Sequence, residues 1–67
     1  MIQITINGQS RQLSTAITCD QLLADMALTG KRIAIERNGE IVPRGRYSET
    51  QLADGDKLEI VVAVGGG

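Results

Sequence analysis

A single stretch of helical period interrupts a sequence that otherwise alternates like β-strand. Leu22, Leu23 and Met26 form an i, i+1, i+4 apolar stripe, the spacing that rests one face of a helix on a core. On either side the period is two. Ile2, Ile4 and Ile6 alternate with Gln3 and Thr5, and Ile33 and Ile35 alternate with Ala34 and Glu36. Leu58, Ile60, Val62 and Val64 alternate with Lys57, Glu59, Val61 and Ala63 in the longest such run. Period two gathers the apolar set on one face of a sheet. One helix must then cover that face, which predicts a two-layer α+β domain. The 67 residues allow one such domain, because a chain this short buries only about 60% of its unfolded surface.

Local chemistry divides the chain further. Asn7-Gly8 and Asn38-Gly39 accept the positive φ angles of tight hairpin turns, so Arg11–Leu13 returns as a second strand and Ile41-Val42 as a fourth. Pro43 lacks a ladder N–H and puts that fourth strand at an edge. Thr18 can cap a helix and Gln21, three residues on, can complete a capping box; Asp20 suits the first turn of the helix dipole. Gly30 is the expected helix stop. A single helical turn is expected around Ser48 to Gln51, and Ala53-Asp54-Gly55-Asp56 is a turn in which both aspartates are turn formers. The order ββαβββ at this length is similar to the ubiquitin-like β-grasp fold: a mixed sheet of about five strands with one helix packed on one face. That resemblance implies that the first and last strands are parallel neighbours at the centre of the sheet. The expected division is a domain over 1–64 and a flexible glycine tail over 65–67.

Composition restricts the chemistry. The chain has no His, Trp or Phe and one cysteine, Cys19. The usual general base is missing, as is a His/Cys cluster for a metal, and no imidazole can activate a Ser or Cys nucleophile. An enzyme of conventional kind is not expected. Seven basic and eight acidic residues are interspersed, so no charge block marks a nucleic acid or membrane surface. The apolar run Ile60–Val64 is too short to span a bilayer, and Met1-Ile2-Gln3-Ile4 lacks the pattern of a secretion signal. The expected compartment is the cytoplasm.

The last strand runs into Gly65-Gly66-Gly67. Three glycines add nothing to a core, and ordering them costs more backbone entropy than ordering any other residue type. They can be a frayed end. They can equally thread a narrow channel, because a backbone without Cβ atoms can carry a terminal carboxylate into another protein's catalytic centre. A carboxylate is a poor acyl donor; adenylation with ATP supplies a leaving group that a sulfur nucleophile can displace. The product, a C-terminal thiocarboxylate on Gly67, needs no other side chain of the carrier.

Two stretches carry a more specific likeness. Ile35-Glu36-Arg37-Asn38-Gly39-Glu40-Ile41-Val42-Pro43-Arg44 and Leu52-Ala53-Asp54-Gly55-Asp56-Lys57-Leu58-Glu59-Ile60, followed by the glycine end, resemble the ThiS family of sulfur carriers of thiamin biosynthesis. The resemblance covers the whole chain, with Gly66 and Gly67 matching the family's terminal pair. It implies that a ThiF-type adenylyltransferase adenylates Gly67 with ATP and magnesium. Sulfur would arrive as a persulfide from a cysteine desulfurase or a related donor, and the thiocarboxylate would supply thiazole synthase. The carrier itself would bind no cofactor. Sulfur carriage in another pathway, such as molybdopterin synthesis, a protein-modifying ubiquitin-like tag, and a plain interaction module remain alternatives.

Several side chains have two readings. Cys19, near a helix N-terminus, is a small filler or a sulfur-handling thiol. Arg44 and Arg46 are solvated or touch an acidic partner. Tyr47 packs its ring on the sheet edge with a wet hydroxyl. Val61 and Ala63 point away from the helix and form a docking patch, or are apolar because a central strand often is on both faces.

Overall fold

The computed structural model of the chain describes residues 1–63. Strand β1 (Ile2–Ile6) turns at Asn7-Gly8 into β2 (Gln9–Leu13), with Ile6 paired to Gln9 and Ile2 to Leu13. Asn7 and Gly8 have φ of 50° and 84°, the backbone that a two-residue type I′ turn requires. The same device joins β3 (Ile33–Arg37) to β4 (Glu40–Val42), with φ of 51° at Asn38 and 87° at Gly39. The last strand, β5 (Lys57–Val62), runs between the two hairpins, parallel to β1 and antiparallel to β3. The sheet order is β2-β1-β5-β3-β4, so the first and last strands are parallel neighbours and β5 is central. β2 starts two residues earlier than expected, since the tight turn leaves Gln9 already in register with Ile6.

Helix α1 (Cys19–Asp25) covers one face of the sheet. Its capping box is in place: the Gln21 N–H donates to Thr18 Oγ1 (3.2 Å) and the Thr18 N–H donates to Gln21 Oε1 (2.9 Å). Two further N–H groups of the first turn are met from outside, Cys19 by the Thr50 carbonyl (3.0 Å) and Asp20 by that of Tyr47 (3.2 Å). Ile4, Ile35, Leu58, Leu22, Leu52 and Cys19 form the most buried part of the core.

The helix ends before Gly30. Ala27 takes the left-handed conformation (φ 59°), its N–H donates to the Ala24 carbonyl (3.1 Å) and the Leu28 N–H donates to that of Leu23 (2.8 Å). That pair of bonds is a Schellman motif, and Leu28, half-buried against the core, secures it. The helical turn in the later loop is a 3₁₀ turn at Arg44–Arg46, ahead of the expected Ser48–Gln51. Pro43, with φ of −61°, ends β4 and starts the turn at once. The turn swings Tyr47 inward: it is buried, and its hydroxyl donates to the Ile33 carbonyl (3.3 Å), so it is not the wet hydroxyl expected. β5 ends at Val62, short of the expected Val64, which lies outside the described residues together with the 65–67 tail.

Candidate functional site

The candidate site is the end of β5, with what holds that strand and what it displays. On the β1 side the ladder is short. The Thr5 N–H donates to the Asp56 carbonyl and the Asn7 N–H to that of Leu58, both at 2.9 Å. Past Asn7 the backbone turns away, and the Asn7 side chain continues the pairing. Its Nδ2 donates to the Ile60 carbonyl (3.1 Å) and its Oδ1 accepts from the Ile60 N–H (2.8 Å), as a further strand residue would. On the β3 side Asn38 grips the start of β5. Its N–H donates to the Lys57 carbonyl (2.8 Å) and its Oδ1 accepts from the Lys57 N–H (2.9 Å).

Asp56 fixes the entry to β5. The residue is 6% exposed, and its carboxylate accepts from Arg37 Nε (2.8 Å), Asn38 Nδ2 (3.1 Å) and the Ala53 N–H (2.8 Å). Burial pushes its pKa up, but the Ala53 N–H, the Asn38 amide and the Arg37 guanidinium outweigh it and hold the carboxyl below the ordinary value. Asp54, the other aspartate of the turn, accepts from the Gln3 N–H (2.7 Å) and ties the turn to β1. Both aspartates form the turn as expected. Asp56 also joins β3 to β5, which spacing along the chain does not reveal.

Val61 is 61% exposed and opposite Ala34 of β3, on the sheet face away from the helix. Ile41 of β4, 67% exposed and opposite Glu36, lies on the same face. Ala63 is exposed just past the strand, with its N–H donating to the Arg32 carbonyl (2.9 Å). The outward phase assigned to Val61 therefore holds, whereas Val62, expected inward with Leu58 and Ile60, is exposed at the strand end. Arg44 is not with them. It lines an open groove of about 490 Å³ on the helix side, beside Leu23, Leu28, Lys31 and Tyr47. Gly65, Gly66 and Gly67 lie outside the described residues.

Cys19 is fully buried, and burial, as the leading cause, raises its thiol pKa. A buried protonated thiol is a poor nucleophile, so the filler reading fits it. Among the described residues, no group of three or more Cys, Asp or Glu side chains gathers where it could hold a metal ion.

Comparison with known proteins decides the family. The ThiS family model matches residues 4–67. The chain belongs to the ThiS family. Among relatives of this ThiS-family chain, the sulfur carrier protein ThiS of Bacillus subtilis is 48% identical over 50 residues, covering 75% of this chain and 76% of that one. A thiazole synthase of Paramagnetospirillum magneticum is 42% identical over 66 residues, or 98% of this chain. This chain spans only 20% of the length of that thiazole synthase. The crystal structure of a thiamine biosynthesis protein (ThiS) from Geobacter metallireducens superposes with a TM-score of 0.82 at 26% identity, covering 98% of this chain and all of that one. The ubiquitin-like β-grasp architecture expected from the element order is the one observed.

The sequence marks Asn7 and Asn38 only as turn formers and leaves Arg37 unassigned. Their grip on β5 depends on which strand lies between the hairpins. The one local signal is that both turns use Asn, whose amide can donate and accept at once.

Proposed function

We propose that this chain is a non-catalytic sulfur carrier of thiamin biosynthesis, with Gly67 as its reactive end. The observation that carries the reading is a family match that continues from the folded domain through the glycine tail, residues 4–67. The chemistry fits a chain whose only thiol is buried. An ATP-dependent, ThiF-type adenylyltransferase with magnesium converts the Gly67 carboxylate to an acyl-adenylate, releasing pyrophosphate. A persulfide from a cysteine desulfurase or related donor expels AMP and leaves an acyl disulfide. A thiol then takes the outer sulfur as a disulfide and frees the thiocarboxylate.

Thiazole synthase is the acceptor in this reading. Support comes from segments like this chain within proteins named thiazole synthase, 42% and 32% identical over 66 residues. Val61, with Ala34 and Ile41, supplies an exposed apolar face for docking an enzyme, and Ala63 follows it in the sequence. Arg44 would meet a partner only from the helix side. No helix among the described residues is long and apolar enough to cross a membrane, and the cytoplasm is the proposed compartment.

The test is the intact mass of the full chain after incubation with the adenylyltransferase, ATP, magnesium, desulfurase and cysteine. Exchange of one carboxylate oxygen for sulfur at Gly67 is the expected result. An unchanged mass, with no adenylate formed, overturns the reading.

A further inference from the structure

The two asparagines that hold β5 are each followed by glycine, at Asn7-Gly8 and Asn38-Gly39. That dipeptide has its own reactivity. A glycine nitrogen can approach the preceding side-chain carbonyl carbon with no Cβ in the way. Attack of the glycine N on the asparagine Cγ forms a C–N bond and breaks the bond to the amide nitrogen, which leaves as ammonia with the proton of the backbone N–H. The cyclic succinimide is then opened by water at either carbonyl, giving aspartate or isoaspartate. The sequence needs water and no oxidant, reductant or partner.

In the folded chain both carboxamides are engaged in hydrogen bonds. Asn7 donates to and accepts from Ile60, at 3.1 and 2.8 Å. Asn38 donates to Asp56 and accepts from Lys57, at 3.1 and 2.9 Å. Swinging either Cγ toward the next nitrogen breaks two hydrogen bonds at once. We propose that Asn7 and Asn38 are modification sites gated by β5: unreactive while they grip the strand, and converted to aspartate or isoaspartate when it is released.

The products cannot restore the grip. At position 38 a carboxylate oxygen replaces the Nδ2 that stands 3.1 Å from Asp56 Oδ1, setting a second anion against the buried Asp56. At position 7 an acceptor oxygen faces the Ile60 carbonyl in place of a donor. Isoaspartate also adds a methylene to the backbone of a two-residue turn. Conversion therefore marks, irreversibly, chains whose β5 has come loose, and β5 is the strand that leads to the glycine tail.

The experiment uses the full chain in mildly alkaline buffer, with and without denaturing guanidinium, followed by peptide mass mapping over time. Both sites are expected to convert in guanidinium and to convert at least about tenfold more slowly in the folded protein, because reaction then waits on an opening event. Equal rates in the two conditions, or no conversion in guanidinium, overturn the proposal. The second measurement compares Asn7→Asp and Asn38→Asp with wild type by denaturant unfolding. Lower midpoints for both, with the larger fall at position 38, are expected. Wild-type midpoints would show that the amides do not hold β5 and would also overturn it.

Discussion

Burial takes the Asp56 carboxylate out of water, yet it stays ionised because the Ala53 N–H, the Asn38 amide and the Arg37 guanidinium all favour the anion. Its folded pKa lies below the unfolded one, so the stabilisation is fully present above the ordinary carboxylate range and is lost as pH falls through the folded value. Stability of the chain should decline below about pH 4, where an unperturbed aspartate begins to bind its proton. Asp56→Asn keeps one acceptor oxygen but sets an amide nitrogen toward a present donor. It should cost about 2 kcal/mol at neutral pH, the range for a buried polar group left unsatisfied, and the difference from wild type should shrink on acidification. Urea titrations of both proteins from neutral to acid pH decide this; parallel curves would show that Asp56 does not titrate with folding. Ala27 gives the opposite case. An alanine at φ 59° bears a left-handed penalty of about 1–2 kcal/mol, while glycine there loses about 0.4–1 kcal/mol through the freer unfolded chain. Ala27→Gly should therefore stabilise by about 0.5–1 kcal/mol, seen as a higher urea midpoint with unchanged slope.

At the scale of elements, what could be read from the sequence was what local chemistry determines. Both Asn-Gly hairpins, the Thr18/Gln21 capping box and the alternation of β1, of β3 and of β5 as far as Ile60 depend on near neighbours, and all are observed; Val62, at the end of β5, is exposed. The helix stop was not readable, because Ala27 carries no signature of left-handed backbone; its conformation is imposed by two carbonyls of α1 and by Leu28. The inward turn of Tyr47 and the placing of Arg44 in the helix-side groove depend on how the 3₁₀ turn packs against β3 and α1. For the candidate site, parity alone fixed the outward phase of Val61, whereas the side-chain grip of Asn7 and Asn38 needed the strand order. Val61 supplies the element-scale prediction. Val61 is 61% exposed, so Val61→Asp should cost no more than the strand-propensity range of about 1 kcal/mol. Circular dichroism should be unchanged while adenylyltransferase affinity falls at least about tenfold, equivalent to about 1.4 kcal/mol. Unchanged affinity would remove the sheet face from the docking account.

For the whole molecule, the architecture holds on both sides the strand that the glycine run follows in the sequence. β5 is flanked by β1 and β3, held at Lys57 and Ile60 by asparagine side chains and anchored at its start by Asp56. A strand fixed in this way gives the glycines after it a defined starting point against any partner docked on the sheet. The proposed function then makes the position of the Gly67 carboxylate critical. Adding one alanine after Gly67 moves the carboxylate by about 3.5 Å, one residue of extended chain. Displacing reacting groups by even about 1 Å can cost on the order of a hundredfold in rate. Gly66→Val tests the channel instead, by placing a branched side chain where threading admits only backbone. Neither change alters a residue of the buried core that the described residues form, so unfolding midpoints should match wild type within error. ATP–pyrophosphate exchange with the adenylyltransferase reads the first step, and intact mass after adding the sulfur donor reads the second; both should be lost in the two variants. Wild-type rates in both would show that the reactive group is elsewhere, and a lowered midpoint would show that the tail belongs to the fold and not to the partner's channel.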